Sequence, residues 1–294
     1  MTIVGAVESA ERRPEGGESL FEGRLSDPVQ RLWLRYYPVS RHARFKELLL
    51  RNIRPTDHVL EIGAGSGTAN QNHFDLRGKV ARYVGTDPDK SVLGNPYLDE
   101  AYQCAADSLP FPDESFEVAF HYYVGEHFEA PLACHGEIAR VLKPVGLLLF
   151  QTASRYWYPM LAAQVTPQWF HEFYVRRFGS GRTENEVFPT YYRFNAEHAI
   201  REQLKNCGFD CELEHRSVAP GYLRFSRLRF LLGVLYERTM EKKIPALRGV
   251  IIGVARKKTA VLHDIVQQVE CGTAGLNDSG LKRISQRLTH QLED

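Results

Sequence analysis

The chain has 294 residues, 43% of them hydrophobic and 25% charged, the composition of a globular protein with room for one large α/β domain or two small ones. Its net charge of +1 supplies no overall field toward nucleic acid or an anionic membrane, so neither is an expected partner. Five scattered cysteines, an odd number with no Cys-x-x-Cys, point to idle thiols in a reducing, cytoplasmic compartment and to no metal site.

Residues 1–24 read as a polar, turn-rich tail. The segment carries acids and lacks an apolar core, so it is not expected to be a secretory signal. No apolar run in the chain approaches the length of a membrane span. From Pro28 to Asn52 apolar residues recur mostly every three or four positions, and Pro38 divides the region into two helices.

Residues 58–62 then form a short apolar strand that stops at Gly63-Ala64-Gly65-Ser66-Gly67, with a helix expected to begin near Ser66. Glycines at alternate positions let the backbone turn sharply and lie bare against a ligand. A helix N-terminus beyond them offers unpaired N–H groups. A dinucleotide fingerprint would place its third glycine at 68, where Thr68 stands. The acid Glu61, inside the strand end, suits a ligand with a cationic group better than a pyrophosphate. Residues 82–87 read as the second strand, ending in Asp87, twenty residues after Gly67. An acid there accepts hydrogen bonds from both ribose hydroxyls of a nucleoside, or caps the turn that begins at Pro88, and one side chain can do both.

A third strand is expected at 102–106, followed by Asp107-Ser108-Leu109-Pro110-Phe111, and a fourth at 116–121. Tyr122-Tyr123-Val124-Gly125-Glu126-His127 follows. A helix over 137–142 then runs into Lys143-Pro144-Val145-Gly146, and a fifth strand occupies 147–151.

Between 156 and 194 the composition changes: twelve aromatic residues, Tyr156 and Phe194 at its ends, are interleaved with Arg176, Arg177, Arg182 and Arg193. About half of these rings are expected to be ordinary core and the rest to wall a flat or amphipathic acceptor. Asn195 to Cys207 reads as a helix closed by Gly208. Strands six and seven are expected at 211–218 and 249–256. Between them, 223–238 is an amphipathic helix whose apolar stretch either packs against the lid, the reading preferred here, or touches a lipid surface. Residues 259–294 are a polar tail, with a short helix at Leu281, Ile284, Leu288 and Leu292.

The glycine stretch resembles motif I of the class I S-adenosylmethionine-dependent methyltransferases. Asp87, the 107–116 turn, Glu126-His127 and the 143–146 turn resemble later family features in the family's order over about 59–152. Val145 departs from the Lys-Pro-Gly-Gly form of the last one. The resemblance implies a Rossmann-like, doubly wound α/β fold with a seven-stranded sheet. It also implies one domain over 25–258 with an α-helical lid inserted at about 155–195. S-adenosyl-L-methionine is the implied cofactor. Gly63, Gly65 and Gly67 would pass under its methionine part and Glu61 would lie near its amino group. Asp87 and Pro88 would meet the ribose, and Asp107, Ser108 and Leu109 the adenine. The implied reaction is methyl transfer to a small-molecule acceptor, with a hydroxyl of a metabolite, sugar or lipid-linked intermediate favoured. A base serves such an acceptor. The candidates are His127 with Glu126 beside it, His121 and His171, each weighed against a purely structural use. The alternative is a cofactor-binding protein of the same fold that catalyses a cyclisation or only binds a partner.

Overall fold

A computed structural model describes residues 28–37, 41–67, 74–165, 189–223 and 226–259. Two helices come first, α1 (Pro28–Tyr36) and α2 (Arg41–Arg51). The sheet follows, as β1 (His58–Ile62), β2 (Arg82–Asp87), β3 (Glu100–Gln103), β4 (Phe116–Tyr122) and β5 (Leu142–Ala153), with α3 (Pro131–Val141) leading directly into β5. The chain continues through α4 (Tyr158–Val165), α5 (Glu197–Asn206), β6 (Phe209–Arg216), α6 (Arg227–Tyr236) and β7 (Val250–Lys257).

The seven strands lie in the order β3-β2-β1-β4-β5-β7-β6. The first five pair parallel, and β7 runs antiparallel to both β5 and β6. The order reverses between β1 and β4, which in a doubly wound sheet opens a crevice at the carboxyl ends of those two strands.

A mostly parallel sheet must be covered on both faces, and its strands are accordingly apolar on both. One face packs Val59, Phe120 and Leu149 against Phe45 and Leu49 of α2. The other packs Leu60, Ala119 and Phe150 against Ile138 of α3 and Ile200 and Leu204 of α5. A separate small cluster joins Val29 of α1 to Phe230 and Val234 of α6.

The expected bounds of β1 and β2 match. Strands three, six and seven sit within two residues of expectation at their starts, while β5 is far longer because α3 ends at its first residue. The helix expected from Ser66 falls on 68–73, outside the described residues, and 74–81 are turn and loop. Much of the expected lid, 166–188, both chain tails, His171 and Arg176 to Arg182 also lie outside them. Val145 adopts φ +57°, the left-handed conformation that the glycine it replaces would take without strain. Among the described residues, no helix is long and apolar enough to cross a membrane, and no cluster of metal-binding side chains occurs.

Candidate functional site

The glycine loop is held from two sides. The N–H groups of Gly63 and Ala64 donate to the Thr86 carbonyl at 2.7 and 3.0 Å, tying the loop to the end of β2. From the loop after β2, Asn95 donates its amide to the carbonyls of Ala64 and Gly65, both at 3.1 Å. Gly63, Gly65 and Gly67 all have positive φ, at +74°, +53° and +69°. They differ in what surrounds them. A Cβ on Gly63 would run into Val124, and one on Gly67 into Asn95 and Tyr97, whereas one on Gly65 would meet no described atom within 4 Å. The open space over Gly65 is where a ligand can lie directly on the backbone.

Asp87 stands at the edge of that space. One carboxylate oxygen accepts the Gly65 N–H at 3.1 Å and the other the Asp89 N–H at 2.8 Å. Burial raises its pKa, and the two N–H groups pull it back. Each oxygen keeps a lone pair for a further donor such as a ribose hydroxyl. Pro88 begins the turn beside it, its carbonyl accepting from Gln103 at 3.0 Å.

Glu61 is buried at the end of β1, opposite Gly85 on β2 and Phe120 on β4. Its carboxyl accepts the Tyr83 hydroxyl. Burial pushes its pKa up to about 8, against the pull of that hydrogen bond and with help from the negative charge of Asp87. At neutral pH Glu61 is therefore mostly protonated, and a cation brought beside it would favour its charged form.

The loop after β3 is fixed by α3. Glu137 accepts the Leu109 N–H at 3.1 Å, and Arg140 donates to the carbonyls of Leu109 at 3.0 Å and Phe111 at 2.8 Å. Arg140 also pairs with Glu137, which holds the Glu137 carboxylate below its usual range. Leu109 is buried, and Asp107 and Ser108 are left exposed on the loop.

At the end of β4, Tyr123 takes φ +56° and turns the chain into a short 3-10 turn, Gly125–His127. A non-glycine residue in this region is strained and tends to mark a functional junction. Glu126 and His127 separate there. Glu126 is buried, where its carboxylate accepts the Thr152 hydroxyl at 2.8 Å and its carbonyl accepts the N–H groups of Tyr191 and Tyr192. Burial raises its pKa. His127 stays half-buried, its Nδ1 2.9 Å from the Pro189 carbonyl. A carbonyl can only accept, so the proton lies on Nδ1 in the neutral ring and Nε2 carries the lone pair.

His121 is corrected by the structure. It is fully buried, stacked on Phe150 at 5.5 Å and edge-on to Phe128 and Phe194, with His135 at 5.7 Å. Burial holds its pKa well below normal, so the ring is neutral, and neither nitrogen has a partner among the described residues. A base must reach its proton, and this ring is sealed in the core.

Two arrangements escaped the sequence reading. Asn95 was signalled only by the turn-forming Gly94-Asn95-Pro96. The second joins β4, β5 and α2: Gln151 donates to the Tyr122 hydroxyl at 3.2 Å, and that hydroxyl is bonded to Nδ1 of His42. No sequence spacing links residues 42 and 122. Beside the rim, a cavity of about 560 Å³ opens between α3, α5 and the Tyr191–Arg193 segment, with Arg155, Arg193 and His198 in its wall.

The sheet order, the glycine loop and the acid at the end of β2 define a class I S-adenosylmethionine-dependent methyltransferase fold. Residues 60–150 match the family described as "Methyltransferase domain". Over that span the chain resembles this class. It is 32% identical over 146 residues, 44% of this chain and 58% of the other, to the ubiquinone/menaquinone biosynthesis C-methyltransferase UbiE of Paraburkholderia xenovorans. To the protein of the same name from Paraburkholderia phytofirmans it is 34% identical over 120 residues, 37% of this chain and 48% of the other. The chain thus spans about half the length of the curated relatives it matches. In fold it is similar to a putative methyltransferase of Haloferax volcanii solved with the Trm112 activator, with a TM-score of 0.51, 19% identity and coverage of 79% of this chain and 96% of the other.

S-adenosyl-L-methionine is the cofactor of this family, and the residues present fit it. The uncovered backbone at Gly65 admits a ligand, Asp87 offers acceptors for ribose hydroxyls, and Glu61 is a buried acid ready to ionise beside an amino group.

Proposed function

We propose that the chain transfers the methyl group of S-adenosylmethionine to a small-molecule acceptor bearing an ionisable hydroxyl, with His127 as the base. The bound cofactor supplies an electrophilic methyl on a sulfonium. Gly63, Gly65 and Gly67 hold its methionine part, Asp87 and Pro88 its ribose, and Asp107, Ser108 and Leu109 its adenine. Catalysis of such a step is chiefly positioning. The observation that supports the base is the contact of Nδ1 with the Pro189 carbonyl at 2.9 Å, which orients the ring and sets the neutral tautomer with its proton on Nδ1. Glu126 acts as a positioning residue: through Thr152, Tyr191 and Tyr192 it ties the turn that carries His127 to β5 and to the segment before α5.

The names of the curated relatives support a carbon acceptor. Both readings share one chemistry when the hydroxyl is phenolic, because its deprotonation raises electron density on the oxygen and on the adjacent ring carbons. Net charge +1 supports a small acceptor over a nucleic acid. The four described cysteines, all free thiols, support a reducing compartment such as the cytoplasm.

Turnover of His127→Ala and His127→Gln tests the base. Both should fall by roughly a hundredfold or more, with cofactor affinity unchanged. Near-normal turnover in both variants across neutral and mildly acidic pH would return His127 to a structural role.

A further inference from the structure

Helix α6 is apolar on two opposite sides. Phe230, Gly233 and Val234 face inward, where Phe230 and Val234 pack against Val29 and Trp33 of α1. The π-helical turn Glu237–Glu241 continues the same buried side, so that both acids of this stretch are enclosed, with Glu237 bonded to the Tyr37 hydroxyl. The opposite side carries Leu228, Leu231, Leu232 and Leu235, which are 67%, 38%, 54% and 58% exposed. At 3.6 residues per turn these four fall within one stripe about 100° wide, centred opposite Phe230 and Gly233. Of the expected packing of this stretch against the lid, the described residues show Tyr236 meeting Tyr158 of α4 edge-on at 5.8 Å, and lid residues 166–188 lie outside them.

The charges around the stripe have one sign. Arg227 and Arg229 lie on its two flanks, and Arg238, Lys242 and Lys243 follow; all five are exposed. The only acids between residues 226 and 244 are the two buried glutamates. The neighbouring α1 has no acid either. A solvent-facing helix normally inverts this pattern, with polar residues outside and mixed charges. An exposed leucine stripe flanked by arginines, whose stems lie along apolar surface while their heads reach phosphate, is the pattern of a helix lying in a membrane interface.

We propose that α6 docks on an anionic lipid surface, its four outward leucines entering the acyl boundary and its arginines and lysines meeting lipid phosphates. The charge pattern selects this occupant: a second copy of the same face would set arginine against arginine, whereas anionic lipid has the sign opposite to all five exposed side chains. Local charge outweighs the small net charge of the chain, because only charges within about a Debye length of the surface contribute.

The test is co-sedimentation of the full-length protein with phosphatidylcholine vesicles and with vesicles containing about 30% phosphatidylglycerol, without cofactor. The protein should sediment with the anionic vesicles at least about tenfold more strongly than with the neutral ones, and raised salt should reduce this. Leu232→Glu/Leu235→Glu and, separately, Arg227→Glu/Lys242→Glu should each abolish it. These positions are exposed, so the variants should keep the wild-type melting temperature. No sedimentation of the wild-type protein with anionic vesicles would overturn the proposal. So would a concentration-dependent dimer that the leucine variant dissolves while no vesicle binds, which would make the stripe an interface between copies. Since no cofactor is used, either failure leaves the methyl-transfer reading untouched.

Discussion

Gly65 separates the role of the glycine loop as a fold element from its role as a ligand cradle. Its φ of +53° is disfavoured for any residue with a Cβ, at a cost of roughly 1–2 kcal/mol. In a domain of this size that lowers the melting temperature by roughly 2 to 8 °C. No described atom lies within 4 Å of the added methyl, so Gly65→Ala should fold with that cost and no further clash. The methyl would enter the space assigned to the cofactor, where one surplus carbon costs about 1–3 kcal/mol. The dissociation constant for S-adenosylmethionine should therefore rise by about 5- to 160-fold. Gly78, at φ +71° and equally uncrowded, is the control: Gly78→Ala carries the same strain on the other side of β2. Calorimetric titration of both variants, with melting curves, gives the two quantities. Equal melting losses with Gly65→Ala binding the cofactor within twofold of the wild type would refute the cradle.

Glu61, with its pKa raised from its ordinary value to about 8, is protonated in the native state at pH values where the unfolded chain has lost the proton. Stability should thus fall as pH rises from about 4.5 to about 8 and level off above. Glu237, also raised to about 8 by burial, adds to the same window, so Glu61→Gln should remove only part of the slope. If the amino group of the cofactor lies beside Glu61, binding at pH 7 should release close to one proton, read from titrations in buffers of different ionisation enthalpy, and Glu61→Gln should abolish the release. Val145→Gly should raise stability by about 1 kcal/mol, since a β-branched residue in the left-handed region costs more than the extra freedom of glycine in the unfolded chain. An unchanged or lower melting temperature would contradict that.

The parts of the fold written in short-range pattern were legible. An apolar run stopped by alternating glycines gave β1 and the loop, and an acid at the end of the next apolar run gave β2. The faces were not legible, because a strand buried on both sides alternates between two equally apolar environments. His121 thus read as a candidate base when it points into the layer between the sheet, α3 and α5. Glu126 and His127 looked like one pair, and a 3-10 turn entered from a left-handed tyrosine sends one inward and leaves the other near the surface. Asn95, Arg140 and His42 act across loops that only the folded chain brings together. On α6 the apolar residues read alike in sequence, and the packing of Phe230 and Val234 against α1 buries one side and leaves the four leucines on the other.

The most direct test of the central claim uses S-adenosylmethionine labelled in its methyl group, with the full-length protein and a panel of small hydroxylated aromatic acceptors. Label should appear in a low-mass product in proportion to the S-adenosylhomocysteine formed, and Gly65→Ala should suppress both at cofactor concentrations near the wild-type dissociation constant. Tight cofactor binding with no label on any acceptor and no S-adenosylhomocysteine formed would contradict methyl transfer and favour a protein that uses this fold to bind the cofactor without spending its methyl group.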